Sequence, residues 1–171
     1  RTELIRAVAF LSEVARYQSE IEIGVRPHPN FPISLLPDAL QRWIVGHARD
    51  LSGTSLGENL EWCDVVAYVS STVALEGLMA GRPLIKLAID PLDPDPLLGD
   101  VRMRWTAARP DQVPGILEAI ASLSERDAGM LRAEARDYLQ TYFRPVTAEA
   151  LELFAPLPNP RSPMPRADRT R

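Results

Sequence analysis

Leu4, Ile5, Val8, Leu11, Val14 and Ala15 recur at three- and four-residue spacings, which predicts an amphipathic helix over residues 2–18. The period then changes. Ile21–Val25 is short and β-branched, and the prolines at 27 and 29 stop it, so it reads as a buried strand ending in a polar loop. The spacing predicts a short helix around Leu35–Trp43 and a strand at Ile44–Gly46. Leu51–Gly57 is a Ser/Thr/Gly loop, and Leu56–Trp62 forms another helical turn or two. Val65–Val69 is apolar enough for a central strand, Thr72–Ala80 follows as a helix, and Pro83–Ile89 is the next strand. Asp90–Pro–Leu–Asp–Pro–Asp–Pro is an irregular loop. Met103–Ala107 reads as one more strand, and residues 110–123 and 125–142 as two helices, the first opened by Pro110 and Asp111.

Strands that alternate with helices and are continuously apolar imply an α/β protein with a Rossmann-like, doubly wound parallel sheet. No internal repeat is apparent, and the chain divides into one domain over residues 1–154 and a tail over 155–171. The tail carries five of the 16 prolines and, with four arginines and one aspartate, a charge of +3, which leaves −7 of the overall −4 on the body. It reads as a disordered, solubilising end. The net charge gives no reason to expect a nucleic-acid partner, and the basic tail is the one feature that would favour a peripheral membrane contact.

The single cysteine, Cys63, excludes an internal disulfide and fits a reducing, cytoplasmic compartment. Its place between Trp62 and the apolar run predicts a buried structural thiol. No apolar stretch approaches 18 residues and no signal peptide is visible. The chain opens on Arg1, inside a helical pattern, as a piece of a longer protein would.

Two polar clusters carry the chemistry. In the first, Ser70–Ser71–Thr72 follows a strand and opens a helix that Gly81 and Pro83 close, Gly81 as a left-handed residue past the helix end. Amides and hydroxyls at such a turn hold a phosphate. Either serine could cap the helix, but capping needs one hydroxyl and three are present. Glu76 has no capping-box partner, since Val73 stands where a Ser or Thr is required, so its carboxylate is free to accept from ribose hydroxyls. Gly77, which weakens a helix, implies close approach of another backbone. In the second cluster, Arg26–Pro27–His28–Pro29, His28 is stiffened by two prolines and stands beside a cation, suited to an anion or a leaving group. His47 reads as a surface residue. Asp90, Asp93, Asp95 and Asp100 match no calcium spacing and read as a turn-rich connection rather than a metal site. No cofactor signature is present.

The strings R-P-H-P and Y-V-S-S-T-V-A-L-E-G-L-M-A-G-R-P-L-I resemble the carboxyl-terminal, donor-binding half of GT-B glycosyltransferases. The likeness is to bacterial capsule and lipopolysaccharide enzymes, including sialyl- and Kdo-transferases, and covers about residues 20–125. It implies one half of a GT-B fold, a CMP- or UDP-linked sugar nucleotide as substrate, and His28 as the catalytic residue that meets the leaving phosphate. Ser70, Ser71 and Thr72 would hold that phosphate, with Arg26 beside it, and Glu76 would bind the ribose. Glu58–Val66 fits the stretch that precedes the phosphate turn in such domains. The family's acidic general-base motif and the acceptor glycan would belong to an amino-terminal domain outside this chain. A non-hydrolysing sugar-nucleotide epimerase and a catalytically silent nucleotide-binding or assembly module are the alternatives.

Overall fold

The computed structural model describes residues 2–18, 20–143 and 146–152; the proline- and arginine-rich segment from 155 lies outside them. The strands are all parallel. β1 (Ile23–Val25) pairs with β2 (Ala48–Asp50), placing Ile23 opposite Ala48 and Val25 opposite Asp50. β3 (Val66–Tyr68), β4 (Leu84–Leu87) and β5 (Arg104–Ala107) form a second sheet with β4 in the middle. The molecule is therefore α/β, with its parallel strands in two small sheets.

Helices cover both faces of the three-stranded sheet, which is why its central strand is buried at all four positions. On one side, Phe10 and Val14 of α1 (Thr2–Tyr17) and Val113 of α5 (Val113–Ala121) pack on Val69, Ile85, Leu87 and Ala107. On the other, Ala74 and Leu78 of α4 (Val73–Met79) and Leu131, Ala135 and Leu139 of α6 (Glu125–Leu139) pack on Val66, Tyr68, Leu84 and Met103. α1 also serves the two-stranded sheet, where its Val8 joins Ile23, Val25 and Ile44. Among the described residues, no helix is long and apolar enough to cross a membrane.

The predicted strand at Ile44–Gly46 is instead the last part of a helix, α2 (Asp38–His47), and the strand follows at Ala48–Asp50. Ile44 lies one turn after Leu40, and both face β1, so helical spacing satisfies the apolar run that alternation had suggested. α3 (Leu56–Trp62) begins with a capping box: Glu58 N–H donates to Ser55 Oγ at 3.2 Å, and Ser55 N–H to Glu58 Oε2 at 2.7 Å. A short helix, α7 (Ala148–Glu152), closes the described residues.

Two glycines set spacings near the candidate site. Gly81 takes φ +69° past the end of α4, where its amide donates to the Leu78 carbonyl and that of Arg82 to the Gly77 carbonyl, the paired bonds that end a helix in a left-handed residue. This bears out the reading of Gly81. At Gly77 the close neighbours are side chains, not backbone: an added Cβ would lie 2.8 Å from Leu84 Cδ2 and 3.4 Å from Val66 Cγ2. Gly77 thus lets α4 settle onto β3 and β4.

Candidate functional site

Each polar cluster lies just beyond the carboxyl end of its own strand, Arg26–His28 after β1 and Ser70–Thr72 after β3. Their contacts diverge. Arg26 Nη1 donates to the carbonyls of Leu51 (3.3 Å) and Thr54 (2.6 Å), so this side chain holds the loop that follows β2. Thr54 in turn donates to the buried Asn59 of α3. His28 is exposed, its ring tilted against Phe31 at 6.0 Å, and its Nδ1 accepts from the Asn30 amide at 3.1 Å. With Nδ1 accepting, the neutral ring carries its proton on Nε2 and offers a donor outward. Among the described residues, no hydrogen bond or ion pair joins Arg26 or His28 to the turn after β3.

At that turn the three hydroxyls separate in role. Ser70 donates twice to one carboxylate oxygen, Glu3 Oε1, from its amide at 3.1 Å and from Oγ at 2.7 Å. Ser71 Oγ accepts from the Val73 amide at 3.3 Å, a serine turn two residues long that leads into α4, whose N-cap is Thr72. Thr72 is exposed and its hydroxyl caps nothing. Glu76 is half-buried, and its Oε2 is closed off from solvent without a hydrogen-bond partner among the described residues. A buried acceptor in that state is uncommon and takes a donor readily.

Beneath the turn lies a polar network that sequence reasoning missed. Lys86, on β4, is only 7% exposed. Its ammonium donates to the carbonyl of Val69, the residue before Ser70, and to that of Pro94 at 3.2 Å. The Tyr68 hydroxyl donates to Asp95 Oδ1 at 3.0 Å, and Asp95 Oδ2 pairs with Arg104 at 2.9 Å. Arg104 also donates to the carbonyls of Leu97 and Gly99, each at 3.0 Å. Tyr138 of α6 donates to the Leu98 carbonyl, and the Leu98 amide donates to the Tyr142 hydroxyl. The proline-rich loop after β4 is therefore irregular, as expected, but fastened along its length. Asp90 and Asp95 serve as partners of arginines, Arg6 and Arg104, and among the described residues no group of three or more His, Cys, Asp or Glu side chains is placed to hold a metal ion.

The environment sets the ionisation of several groups. Burial, reinforced by the Asp95 carboxylate, pushes the Tyr68 hydroxyl well above its ordinary value. Burial does the same to Tyr138, helped by its bond with Tyr142. Burial also raises the Cys63 thiol against the opposing pull of Arg82, which suits a structural cysteine and not a nucleophile. His47 ends α2 as an exposed residue with its ring 6.3 Å from that of Trp43. Comparison with protein-family models, curated proteins and solved structures finds no match to this chain.

Proposed function

We propose that this chain is the donor-binding half of an inverting, metal-independent glycosyltransferase of the GT-B type, acting on a sugar nucleotide in cell-surface polysaccharide synthesis. The observation that carries the reading is the turn after β3, where one residue, Ser70, already grips an anionic oxygen with both its amide and its hydroxyl. The unpartnered Oε2 of Glu76, in the first turn of α4, supports the same reading, because turning this half-buried side chain outward would give the oxygen the donor it lacks, a ribose hydroxyl.

In this mechanism an acceptor hydroxyl attacks the anomeric carbon as the bond to the nucleotide phosphate breaks. The phosphate leaves with its charge met by Ser70 and Thr72 and by the Nε2 proton of His28. Ser71 shapes the turn through its bond with the Val73 amide, and Arg26 shapes the loop after β2. The base that takes the acceptor's proton belongs to a domain outside this chain. Binding of the donor is accordingly the activity to test.

Calorimetric titration of the chain with CMP, UDP and GDP is the direct measurement. Binding of one nucleotide, weakened about tenfold or more in Thr72→Ala and His28→Ala, is the expected result, since a charge-assisted hydrogen bond contributes about 1.5–3 kcal/mol. Equal binding in both variants would sink the assignment of the site. No heat with any nucleotide would favour a silent assembly module.

A further inference from the structure

The anion that Ser70 holds comes from α1, 67 positions earlier in the chain. Ser70 spends both of its donors on a single oxygen of Glu3, an exposed side chain in the first turn of α1. Three residues along the same helix, Arg6 pairs with Asp90 of the loop after β4 at 2.6 Å. The start of α1 is thus tied to the carboxyl ends of two adjacent strands, across the turn where a phosphate would have to settle.

The network under the turn carries more cations than carboxylates. Lys86 and Arg104 bring two buried or half-buried cations to the network under the turn, and Asp95 neutralises Arg104. Among the described residues, no carboxylate forms an ion pair with Lys86. Its ammonium instead holds the Val69 carbonyl, immediately before Ser70. A positive charge screened little by solvent therefore lies one peptide away from the two Ser70 donors.

We propose that Glu3 is an internal competitor for the ligand's phosphate, so that the first turn of α1 must release Ser70 before an anion can take its place. The proposal rests on the reading of the Ser70 turn as a phosphate site. The exchange is favourable for a phosphate. Glu3 contributes one oxygen and one charge from a flexible, exposed side chain, and such surface contacts are worth little. A phosphate brings up to two charges and several acceptor oxygens to the same donors. Release of Glu3 also removes one of the two side-chain ties that hold the first turns of α1 to the strand ends.

The test uses the full chain and its variants Glu3→Ala, Glu3→Gln and Ser70→Ala, titrated by calorimetry with CMP and separately with inorganic phosphate. The Ser70 amide is followed by proton–nitrogen correlation spectra. Removing the competitor is expected to tighten CMP binding about two- to fivefold in Glu3→Ala and by a similar factor in Glu3→Gln. The Ser70 amide signal should move in both Glu3 variants without ligand, and move again when phosphate is added. Ser70→Ala should bind CMP more weakly than the unaltered chain. A gain with inorganic phosphate as well as CMP assigns the competition to the phosphate itself. Binding by the unaltered chain that neither Glu3 variant improves overturns the competitor and leaves the site reading intact. Absence of binding in the unaltered chain and in both Glu3 variants overturns the site reading, and the competitor falls with it.

Discussion

Lys86 stands directly opposite Tyr68 across the β3–β4 pair, and its ammonium lies 5.6 Å from the centroid of the Tyr68 ring. A cation over an aromatic face gains electrostatic energy, more so when both are shielded from water. Here that contact joins two carbonyl acceptors from different segments, Val69 at the end of β3 and Pro94 in the loop after β4. Lys86 is thus the pin that fixes the loop to the strand end from which Ser70 departs.

Replacing Lys86 by Ala strands two carbonyls and opens a gap in a fully covered strand, with an expected loss of about 2–4 kcal/mol. Lys86→Met keeps the chain's bulk and removes the need to desolvate a charge, so its loss should be nearer about 1–2 kcal/mol. Urea unfolding measures both. Trypsin cleavage after the exposed Arg102 should accelerate more in Lys86→Ala than global stability alone accounts for, because the loop ahead of it has lost its pin.

The tyrosines report the same network in alkali. Tyr68 and Tyr138 both have folded-state hydroxyls raised above the ordinary phenolic value, chiefly by burial. A raised acid keeps its proton longer when folded than when unfolded, so its stabilising share is complete below about pH 10 and is lost as pH climbs beyond it. Absorbance at 295 nm should therefore show two of the four tyrosines ionising only with alkaline unfolding. Tyr68→Phe should remove one of those late steps and leave Asp95 with the Leu97 amide and Arg104 as partners.

Gly77→Ala sets two effects against each other. Alanine favours a helix by about 1 kcal/mol over glycine. Its methyl, however, would sit 2.8 Å from Leu84 Cδ2, and Leu84 is completely buried. Overpacking of this kind costs about 1–3 kcal/mol, so a net loss of about 1 kcal/mol is expected. Adding Leu84→Val should recover part of it, and a double-mutant cycle in urea would show the coupling.

Cys63 offers a chemical check on its structural role. Burial raises its thiol, and the thiolate is the reactive form, so Ellman's reagent should label it slowly at pH 8 in the folded chain and rapidly after unfolding. Cys63 is half-buried where the sequence predicted a buried thiol, and fast labelling of the folded chain would contradict its structural role.

The elements that the sequence made legible are those whose apolar spacing is uniform and whose ends carry their own signals. α1 and α4 follow their three- and four-residue spacings, and α4 stops at Gly81 as the glycine-then-proline pattern requires. The Trp43–Ile44–Val45 run was ambiguous because three consecutive apolar residues fit either period. The network under the turn was not legible at all. A lysine within Leu84–Leu87 signals an exposed strand position, and only the return of the loop carrying Pro94 and Asp95 buries it. Likewise, the serine cluster reads as an anion site in the sequence, but nothing local to Glu3 marks it as the group that Ser70 holds.

The tie between α1 and the sheet should also respond to acid. The Asp90 carboxyl is held below the usual carboxylate range, first by the Leu92 amide that donates to it at 3.0 Å and then by Arg6. For a depressed acid the stabilising share is present above the unfolded value near about pH 4 and disappears as pH falls through the lower folded value. Asp90 is half-exposed and its partner Arg6 is exposed, so the effect is local and salt-sensitive. Protection of the amides in the first two turns of α1, taken against the intrinsic exchange rate at each pH, should fall as the pH drops below that of an ordinary carboxylate, and Asp90→Asn should show the lower protection already at neutral pH. If protection at Arg6 and its neighbours is the same in Asp90→Asn as in the unaltered chain, the ion pair does not hold the helix end, and among the described residues Glu3 is left as the hydrogen-bonded tie between α1 and the Ser70 turn.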